Sequence, residues 1–264
     1  MRTKGVKAFL RRVPVLPALR QMALALPRDC GLRLTLWIRA LSWFVRDYSS
    51  LAREARDPAH SPTLRFLSPR LGDKRSITPV EPVYFFQNTW AARKIFTIGV
   101  AHHVDVGSSA MALGVIAQHV PVTMVDIRPI LLEVQGLRFK EGSILALPFE
   151  DGSLDSISSL CVIEHIGLGR YGDAINAYGT ESALRELARV LKPGGHLLVS
   201  APVDEECRVY FNAHRAFTRD YLLQLFHQFT IEEERYQYGM SMHERYDPAK
   251  GFGTGMFHLR KAPR

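Results

Sequence analysis

Cysteine is scarce in this chain. Only three occur among 264 residues, Cys30, Cys161 and Cys207, and no two of them stand at a paired spacing. This pattern argues against a disulfide framework and against a cysteine zinc site, and no other cluster of residues has the spacing of metal ligands. The sequence therefore predicts a cytoplasmic protein, in a reducing compartment, without a bound metal.

Long apolar runs are also missing. No stretch of about 18 uninterrupted apolar residues occurs, so a transmembrane helix is not expected. The basic residues 1–12 and the apolar residues 13–27 resemble a secretory signal, but Pro14, Pro17 and Arg20 interrupt the apolar part. We therefore expect this segment to be retained.

The net charge of +8 is unevenly distributed. Residues 1–75 contain 16 Lys and Arg against 5 Asp and Glu, a balance of +11, whereas the remaining residues have a balance of −3. Such an excess suits an anionic membrane surface or nucleic acid, and it also suits a helical lid whose arginines face water. The three alternatives stay open, with nucleic acid the least favoured.

Residues 32–45 predict an amphipathic helix. At about 100° per residue, Trp37, Leu41 and Phe44 fall on one apolar face and Arg39 lies opposite. Such a face either packs on its own domain or inserts into a membrane interface, which leaves membrane association open as an alternative.

Prolines are frequent in residues 57–82, which predicts an irregular linker. The linker suggests two parts, a basic helical extension at 1–79 and a second domain at 80–264. In residues 82–94 only the second half is expected to be helical, leading into the first strand.

The second domain alternates between strand and helix patterns. Strands are predicted at 101–106, 121–126, 137–141, 154–160 and 196–202, with helices at 109–119, 129–135 and 180–191 and further strands at 229–237 and 254–260. Alternation of this kind indicates an α/β fold with a doubly wound, mostly parallel, Rossmann-like sheet.

A nucleoside-binding turn is predicted where the first strand ends. Asp105 and Gly107 close the apolar run 96–106, and a second strand ends about 20 residues later in Asp126. A glycine lets the backbone approach a ligand, and a carboxylate can accept both hydroxyls of a ribose. Because the G-x-G-x-x-G spacing is absent, a diphosphate dinucleotide is not the expected ligand.

Several ordered motifs follow this turn. They include Leu147-Pro148-Phe149 before Asp151-Gly152-Ser153, the pair Glu164-His165, and the run from Arg189 to Gly195 that reads RVLKPGG. In this order they resemble class I S-adenosylmethionine (SAM)-dependent methyltransferases, closest to the type 11 group, over residues 80 to 240. A closer likeness, carried by residues 161–173 and 211–215, is to a branch described only as a domain of unknown function.

The resemblance implies SAM as cofactor and a seven-stranded sheet with a reversed edge strand. It also implies a set of cofactor-binding residues: Asp105, Gly107, Ser108, Ser109, Asp126, Ile127, Ser143, Ile144 and Cys161. The unpaired N–H groups of the helix that begins near Ser109 suit the carboxylate of the methionine part. In these relatives the segment before the first strand folds over the ligand, so Tyr84, Gln87 and Trp90 either contact a ligand or seal the sheet edge.

Two histidines are candidate bases near the expected methyl group. His214 is the first choice and His165 the second, because imidazole titrates near neutrality. Arg170, Tyr171, Asn212 and Arg215 are expected to bind the substrate, although each could instead hold loop backbone. The tetrapeptide Asp/Asn-Pro-Pro-Tyr, with which amino-directed DNA and protein methyltransferases hold a nitrogen, is absent after the fourth strand, which argues against those substrate classes.

These observations favour a SAM-dependent methyltransferase that acts on a hydroxyl or carboxyl oxygen of a small molecule or sugar. One alternative is an RNA methyltransferase that grips phosphates with the basic extension. Another is a non-catalytic SAM-binding scaffold that residues 32–45 recruit to a membrane or partner.

Overall fold

The structure is a computed structural model, and it describes residues 34–263. The chain divides into two compact units between Pro79 and Val80. Helix α1, Leu34–Glu54, dominates the described part of the first unit. The predicted amphipathic helix is thus present from Leu34 onward and extends beyond Val45, while residues 32 and 33 lie outside the described part.

The proline-rich segment folds back on α1 within the first unit. Lys74 Nζ lies 2.9 Å from Asp47 Oδ2 and 4.7 Å from the centre of the Trp43 ring, and Tyr48 donates to the Pro62 carbonyl at 3.2 Å. Between Glu54 and Pro82 the only described helical turn is the 3-10 turn Leu64–Phe66, as the proline content predicts. This part of the chain is irregular, and the contacts of Lys74 and Pro62 hold it against α1.

The second unit is built on an eight-stranded sheet. Its strands are β1 (His103–Val106), β2 (Val122–Asp126), β3 (Leu137–Glu141), β4 (Leu154–Leu160), β5 (Leu191–Val203), β8 (Phe229–Tyr238), β9 (Ser241–His243) and β10 (Gly253–Lys261), while β6 (Arg208–Tyr210) and β7 (His214–Ala216) form a separate hairpin.

The order of the sheet is β3-β2-β1-β4-β5-β10-β8-β9. Strands β1 to β5 run parallel, and β10, β8 and β9 pair antiparallel beyond β5. The predicted doubly wound Rossmann-like fold is confirmed. The additional short strand β9 raises the strand number from the expected seven to eight.

Four helices are described in this unit: α2 (Pro82–Ile98), α3 (Ala110–Ile116), α4 (Gly179–Val190) and α5 (Arg219–Leu225). The sheet core is filled on both of its faces. Along β5, Leu197 and Val199 pack with α4 and α5, whereas Leu198 packs with α2 and α3. Because neighbouring strand residues point to opposite faces, the two helix pairs cover opposite sides of the sheet.

Two sequence-based expectations about helices are wrong. Helix α2 fills the whole of Pro82–Ile98 because Pro82 suits a first helical turn and Glu81 caps it by accepting from the Tyr84 N–H at 2.7 Å. The apolar residues 96–98 therefore belong to this helix and not to a strand. The helix ends at Gly99, whose φ of 71° is left-handed.

The predicted helix at 129–135 is absent. This segment is an irregular connection that ends in a tight turn, in which the Leu137 N–H donates to the Val134 carbonyl at 3.2 Å before the chain enters β3. Leu131 and Leu132 are 91% and 77% exposed, so the apolar residues that suggested a buried helical face lie in solvent.

Glycine is required at Gly136, where the chain turns into β3. Its φ is +83°, and a Cβ there would lie 2.1 Å from the Ala117 carbonyl oxygen. Gly99 is a matched reference, because its φ is +71° but a Cβ there would meet no atom within 4 Å.

We predict that Gly136→Ala lowers the free energy of unfolding far more than Gly99→Ala. Strain at a left-handed position costs about 1 kcal/mol in both variants, and the clash with backbone adds at least about 2 kcal/mol in Gly136→Ala alone. Urea unfolding of the two variants measures the difference, and equal losses would contradict the close approach.

Candidate functional site

A cavity opens at the carboxyl ends of β1, β2 and β4, the edge at which doubly wound sheets bind ligands. It is lined by Val106, Gly107, Val125, Asp126, Ile127, Arg128, Gly142, Ser143, Ile144, Leu145, Cys161, Val162, His165, Ile166, Tyr171 and Asp173. The structure therefore brings together six of the predicted cofactor residues, one predicted base and one predicted substrate residue.

Gly107 forms the floor where β1 turns. Its φ is +73°, and a Cβ would lie 3.1 Å from the Val162 side chain, which packs directly over the backbone. The Gly107 N–H donates to the Val125 carbonyl at 2.9 Å and so joins the turn to β2. A side chain at this position would strain the turn and push Val162 out of its place.

Asp105 is fully buried and lies behind the cavity instead of lining it. Its carboxyl accepts from the Ser108 N–H at 3.0 Å, from the Ser108 hydroxyl at 2.7 Å and from the Ser158 hydroxyl. Burial raises the pKa of this carboxyl to about 6. These bonds make Asp105 and Ser108 residues that shape the turn.

Ser109 does not line the cavity either. It is the residue before α3, and its side chain makes no capping hydrogen bond. The hydroxyl of Ser108 also accepts from the Leu160 N–H at 2.9 Å, which links the turn to β4. The two serines therefore act on the turn and not on the cavity surface.

Asp126 ends β2 and points its carboxyl to the cavity. The carboxyl accepts from the Arg128 N–H at 2.9 Å and from Arg128 Nε at 3.2 Å. The Arg128 guanidinium in turn lies 4.5 Å from the centre of the Tyr171 ring. The Arg128 side chain is more than half exposed, whereas the Asp126 side chain is buried. A ligand that displaces the guanidinium therefore has to replace its hydrogen bonds to the buried carboxylate.

The apolar wall of the cavity comes from Ile127, Ile144 and Leu145. Ile144 is buried and Ile127 is partly exposed, as expected for a slot that holds a flat apolar group. Ser143 lies beside them, and its hydroxyl accepts from the Leu145 N–H at 3.2 Å. Ile127, Ser143 and Ile144, which are predicted cofactor residues, thus lie side by side in the cavity wall.

Cys161 directly follows β4 and adopts a φ of +53°, which is unusual for a residue with a side chain. Its thiol donates to Gln87 Oε1 at 3.0 Å, and burial raises its pKa well above the ordinary value. A thiol with a raised pKa stays protonated and is a poor nucleophile. Cys161 therefore lines the cavity without acting as a nucleophile.

The two candidate bases differ in position. His165 lines the cavity, and its Nδ1 lies 2.6 Å from the Ala213 carbonyl, so Nδ1 carries the hydrogen and Nε2 keeps a lone pair. Burial lowers the pKa of His165 to about 4. His214 is not part of the cavity, because it stacks on Tyr210 at 4.9 Å and on Phe252 at 5.5 Å.

The predicted substrate residues also separate. Tyr171 lines the cavity, and Arg170 lies 5.1 Å from its ring centre while donating to the Ala213 carbonyl at 2.9 Å. Asn212 takes up a turn with a φ of +63°. Neither Arg170 nor Asn212 lines the cavity.

Arg215 is almost fully buried, and it holds loop backbone. Its guanidinium donates to the Ile166 carbonyl at 2.6 Å, to the Asn176 carbonyl at 3.0 Å and to the Ala177 carbonyl at 3.3 Å. The alternative in which this arginine bonds backbone is thus the one that the geometry favours over substrate binding.

The aromatic segment before β1 has two roles. Trp90 packs in the core and donates to Glu233 at 2.9 Å, which seals the sheet, whereas Gln87 reaches Cys161. Sequence reasoning missed Arg128 as a cavity residue, because an arginine two positions after a strand end is equally typical of a surface.

Comparison with known proteins agrees with this arrangement. Residues 101–199 match the family model described as a methyltransferase domain. The N-methyltransferase NodS from Bradyrhizobium japonicum WM9 has a similar structure, with a TM-score of 0.52 and 18% identity over 69% of this chain and 98% of that chain.

A second similar structure is a protein from Galdieria sulphuraria whose proposed activity is that of a sarcosine dimethylglycine methyltransferase. Its TM-score is 0.52, and it is 16% identical over 67% of this chain and 85% of that chain. No curated protein sequence matches the chain significantly. At these identities the solved structures show the fold alone, and the family match shows a methyltransferase domain over residues 101–199.

The fold and the matched domain point to one class of protein. A methyltransferase domain over residues 101–199, in a sheet of this topology, supports a SAM-dependent methyltransferase whose cofactor is SAM. The cavity fits this cofactor, because Asp126 offers two acceptor oxygens, Ile127 and Ile144 offer an apolar slot, and Gly107 leaves the floor open.

Two further features concern the described residues 34–263. They contain no group of three or more His, Cys, Asp or Glu side chains that could hold a metal ion. None of their helices is both long enough and apolar enough to cross a membrane.

We predict that Asp126→Ala weakens binding of S-adenosylhomocysteine at least tenfold, about 1.4 kcal/mol, because two ribose hydroxyls lose their acceptor. Isothermal titration calorimetry measures the dissociation constant. Glu150→Ala removes an exposed acid that does not line the cavity and serves as the control. Equal affinities in the two variants would contradict the assignment of Asp126.

Proposed function

We propose that this methyltransferase transfers the methyl group of SAM to a hydroxyl or carboxyl oxygen of a small molecule or sugar. The observation that carries the proposal is the position of His165, whose Nε2 lone pair is available at the cavity. The segment after β4 argues against DNA and protein amino groups as acceptors, since Leu160-Cys161-Val162 stands where amino-directed DNA and protein methyltransferases carry Asp/Asn-Pro-Pro-Tyr.

The bound cofactor supplies a methyl group on a positively charged sulfur. A hydroxyl oxygen that accepts this group releases one proton, and the reaction depends mainly on placement and exclusion of water, with a base assisting. His165 accepts the proton during the transfer and then releases it to water. The Ala213 carbonyl fixes its tautomer, and a pKa of about 4 keeps the ring neutral at physiological pH.

The remaining site residues take roles that follow from their positions. Gly107, Asp126, Ile127, Ser143, Ile144 and Cys161 hold the cofactor, while Asp105, Ser108 and Ser109 shape the turn beneath it. Tyr171 covers the side of the cavity at which the methyl acceptor would bind, and the Arg170 guanidinium packs against the Tyr171 ring. Asn212, His214 and Arg215 stabilise the neighbouring loop.

We predict that His165→Gln lowers turnover about 100-fold or more, since a positioned base contributes 10²–10⁴-fold, whereas His214→Gln stays within about threefold of the wild type. The assay follows transfer of an isotope-labelled methyl group from SAM to a library of hydroxyl and carboxyl compounds, and spectroscopy locates the methyl on the product. Methylated nitrogen would overturn the proposal. A folded protein that binds S-adenosylhomocysteine without any turnover would favour the scaffold alternative.

We further propose that residues 1–79 form an extension that brings a cytoplasmic catalytic domain at 80–264 to an anionic membrane surface. Ile38, Val45 and Leu51 on α1 are each more than half exposed, and the excess of basic residues in 1–75 suits anionic lipid headgroups. RNA is the less favoured partner, since the extension offers exposed apolar side chains as well as charge.

We predict that the full-length protein floats with vesicles that contain anionic phosphatidylserine and not with neutral phosphatidylcholine vesicles. The double variant Ile38→Glu, Val45→Glu should lose flotation, because it places charge on the inserted face. Thr97→Glu, an exposed position of the second unit, is the matched control. Equal flotation of the Ile38, Val45 variant and the wild type would rule out insertion of this face.

A further inference from the structure

A buried polar cluster stands next to the cavity, between α2 and the ends of β4 and β5. Gln87 Oε1 accepts from the Cys161 thiol at 3.0 Å and from the Ser200 hydroxyl at 2.8 Å. The Ser200 oxygen itself accepts from the Cys161 N–H at 2.9 Å. These bonds orient the Gln87 amide, so that its NH2 group points away from both partners.

Two polar atoms of this cluster have no hydrogen-bond partner among the described residues, Gln87 Nε2 and Glu164 Oε2. Both side chains are buried, with 0% and 1% of their surface exposed. Buried polar atoms are nearly always paired, so an unpaired donor beside an unpaired acceptor points to a group that arrives with a ligand.

Both residues adjoin the cavity. The Cys161 thiol, which lines it, contacts Gln87 and lies within hydrogen-bonding reach of the Glu164 carboxyl. Glu164 Oε1 is 3.7 Å from Nε2 of His165, which also lines the cavity. Neither Gln87 nor Glu164 lines the cavity itself, so a molecule seated beside Cys161 and the base would meet the two side chains once the Cys161 side chain moves aside.

We propose that Gln87 and Glu164 form the recognition pair for the methyl acceptor, and that the group they bind is a neutral hydroxyl. This inference rests on the proposed transfer to oxygen and narrows it. The Gln87 NH2 group donates to the acceptor oxygen, and the acceptor O–H donates to Glu164 Oε2.

The number of lone pairs on the acceptor atom favours a hydroxyl over an amine or a carboxylate. Its oxygen has two lone pairs, one for the Gln87 donor and one for the incoming methyl group, and its hydrogen satisfies Glu164. A neutral amine has a single lone pair, so it cannot bond Gln87 and attack the methyl group at once. A carboxylate has no hydrogen for Glu164 and would bring charge into a site where burial opposes it.

The protonation state of Glu164 agrees with this role. Burial raises the pKa of its carboxyl to about 8, so the acid is largely neutral at pH 7. With the hydrogen on Oε1, facing the lone pair of His165 Nε2, Oε2 is left as a carbonyl acceptor. Glu164 is then both a contact to the hydroxyl and a bridge to the base.

The proposed transfer accounts for every proton and electron pair. The acceptor O–H bond breaks as the O–CH3 bond forms, and the electron pair of the S–CH3 bond stays on sulfur. The released proton binds Glu164 Oε2 while the Oε1 hydrogen moves to His165 Nε2. One imidazolium and one neutral thioether result, and no further reactant is needed.

The test uses three probes of one shape that differ in their polar group: trifluoroethanol, trifluoroethylamine, which is uncharged at neutral pH, and trifluoroacetate. Fluorine NMR measures their binding to the full-length protein saturated with S-adenosylhomocysteine. We expect saturable binding of the alcohol, at least tenfold weaker binding of the amine and carboxylate, and at least tenfold loss of alcohol binding in Gln87→Met and in Glu164→Met.

Gln224→Glu, an exposed glutamine on α5, is the matched control and should bind the alcohol as the wild type does. Melting temperature and affinity for S-adenosylhomocysteine are measured for every variant. The inference is overturned if the wild type does not bind the alcohol, if the amine or carboxylate binds as well, or if either variant keeps alcohol binding. A variant that also loses the cofactor product would assign the pair to the cofactor site instead.

The experiments distinguish an error in the proposed transfer to oxygen from an error in the proposed recognition pair. If transfer to oxygen is wrong, the product carries its methyl group on another atom, whatever the probes show. If only the recognition pair is wrong, oxygen is methylated and S-adenosylhomocysteine binds, but the probes show no dependence on Gln87 and Glu164.

Discussion

The buried carboxyl of Asp105 is the contact on which the cavity depends. It receives three hydrogen bonds, from the backbone and hydroxyl of Ser108 and from the hydroxyl of Ser158. Ser158 also contacts His103 Nε2 at 2.8 Å, and His103 Nδ1 contacts Ser156 at 2.8 Å. This polar seam joins β1 to β4 and holds the turn at which Gly107 opens the floor. A buried acid is costly unless it is fully bonded, so the seam fixes a single arrangement of the turn.

The cost of burying a carboxyl without hydrogen-bond partners also distinguishes the acids of the site from one another. Asp105 is satisfied inside the protein, while Asp126 is paired only with the half-exposed Arg128 and can exchange that partner for a ribose. Glu164 keeps one oxygen without a partner in the described structure. The internal bonds thus distinguish the fully bonded Asp105 from Asp126 and Glu164, for which we propose cofactor-binding and acceptor-binding roles.

Much of the fold was predictable from periodicity and turn residues. Strands β3 and β4 begin and end at the predicted residues, and Gly107, Asp126 and Ile144 meet at the predicted sheet edge. The helix expected at 129–135 failed because apolar side chains in a connection look like a buried face until their exposure is known. His214 and Arg215 lie outside the cavity, because His214 packs on aromatic rings and Arg215 is bonded to loop backbone, and a sequence shows neither contact.

The roles of Gln87 and Arg128 were invisible for a related reason. Each depends on a contact between distant parts of the chain, from α2 to the end of β4 or from the end of β2 to Tyr171. From the sequence alone, Gln87 is an ordinary helical glutamine and Arg128 an ordinary loop arginine, and neither residue type indicates a place at the cavity. Only the packing of α2 against the sheet turns the glutamine into a neighbour of the reacting group.

The most direct test of this account is a crystal structure of the protein bound to S-adenosylhomocysteine. We expect the ribose hydroxyls on Asp126 with Arg128 displaced, the adenine between Ile127 and Ile144, the sulfur beside Cys161, and Asp105 still bonded to Ser108. A ligand bound elsewhere, or one that contacts Asp105 while Asp126 keeps Arg128, would contradict the central claim.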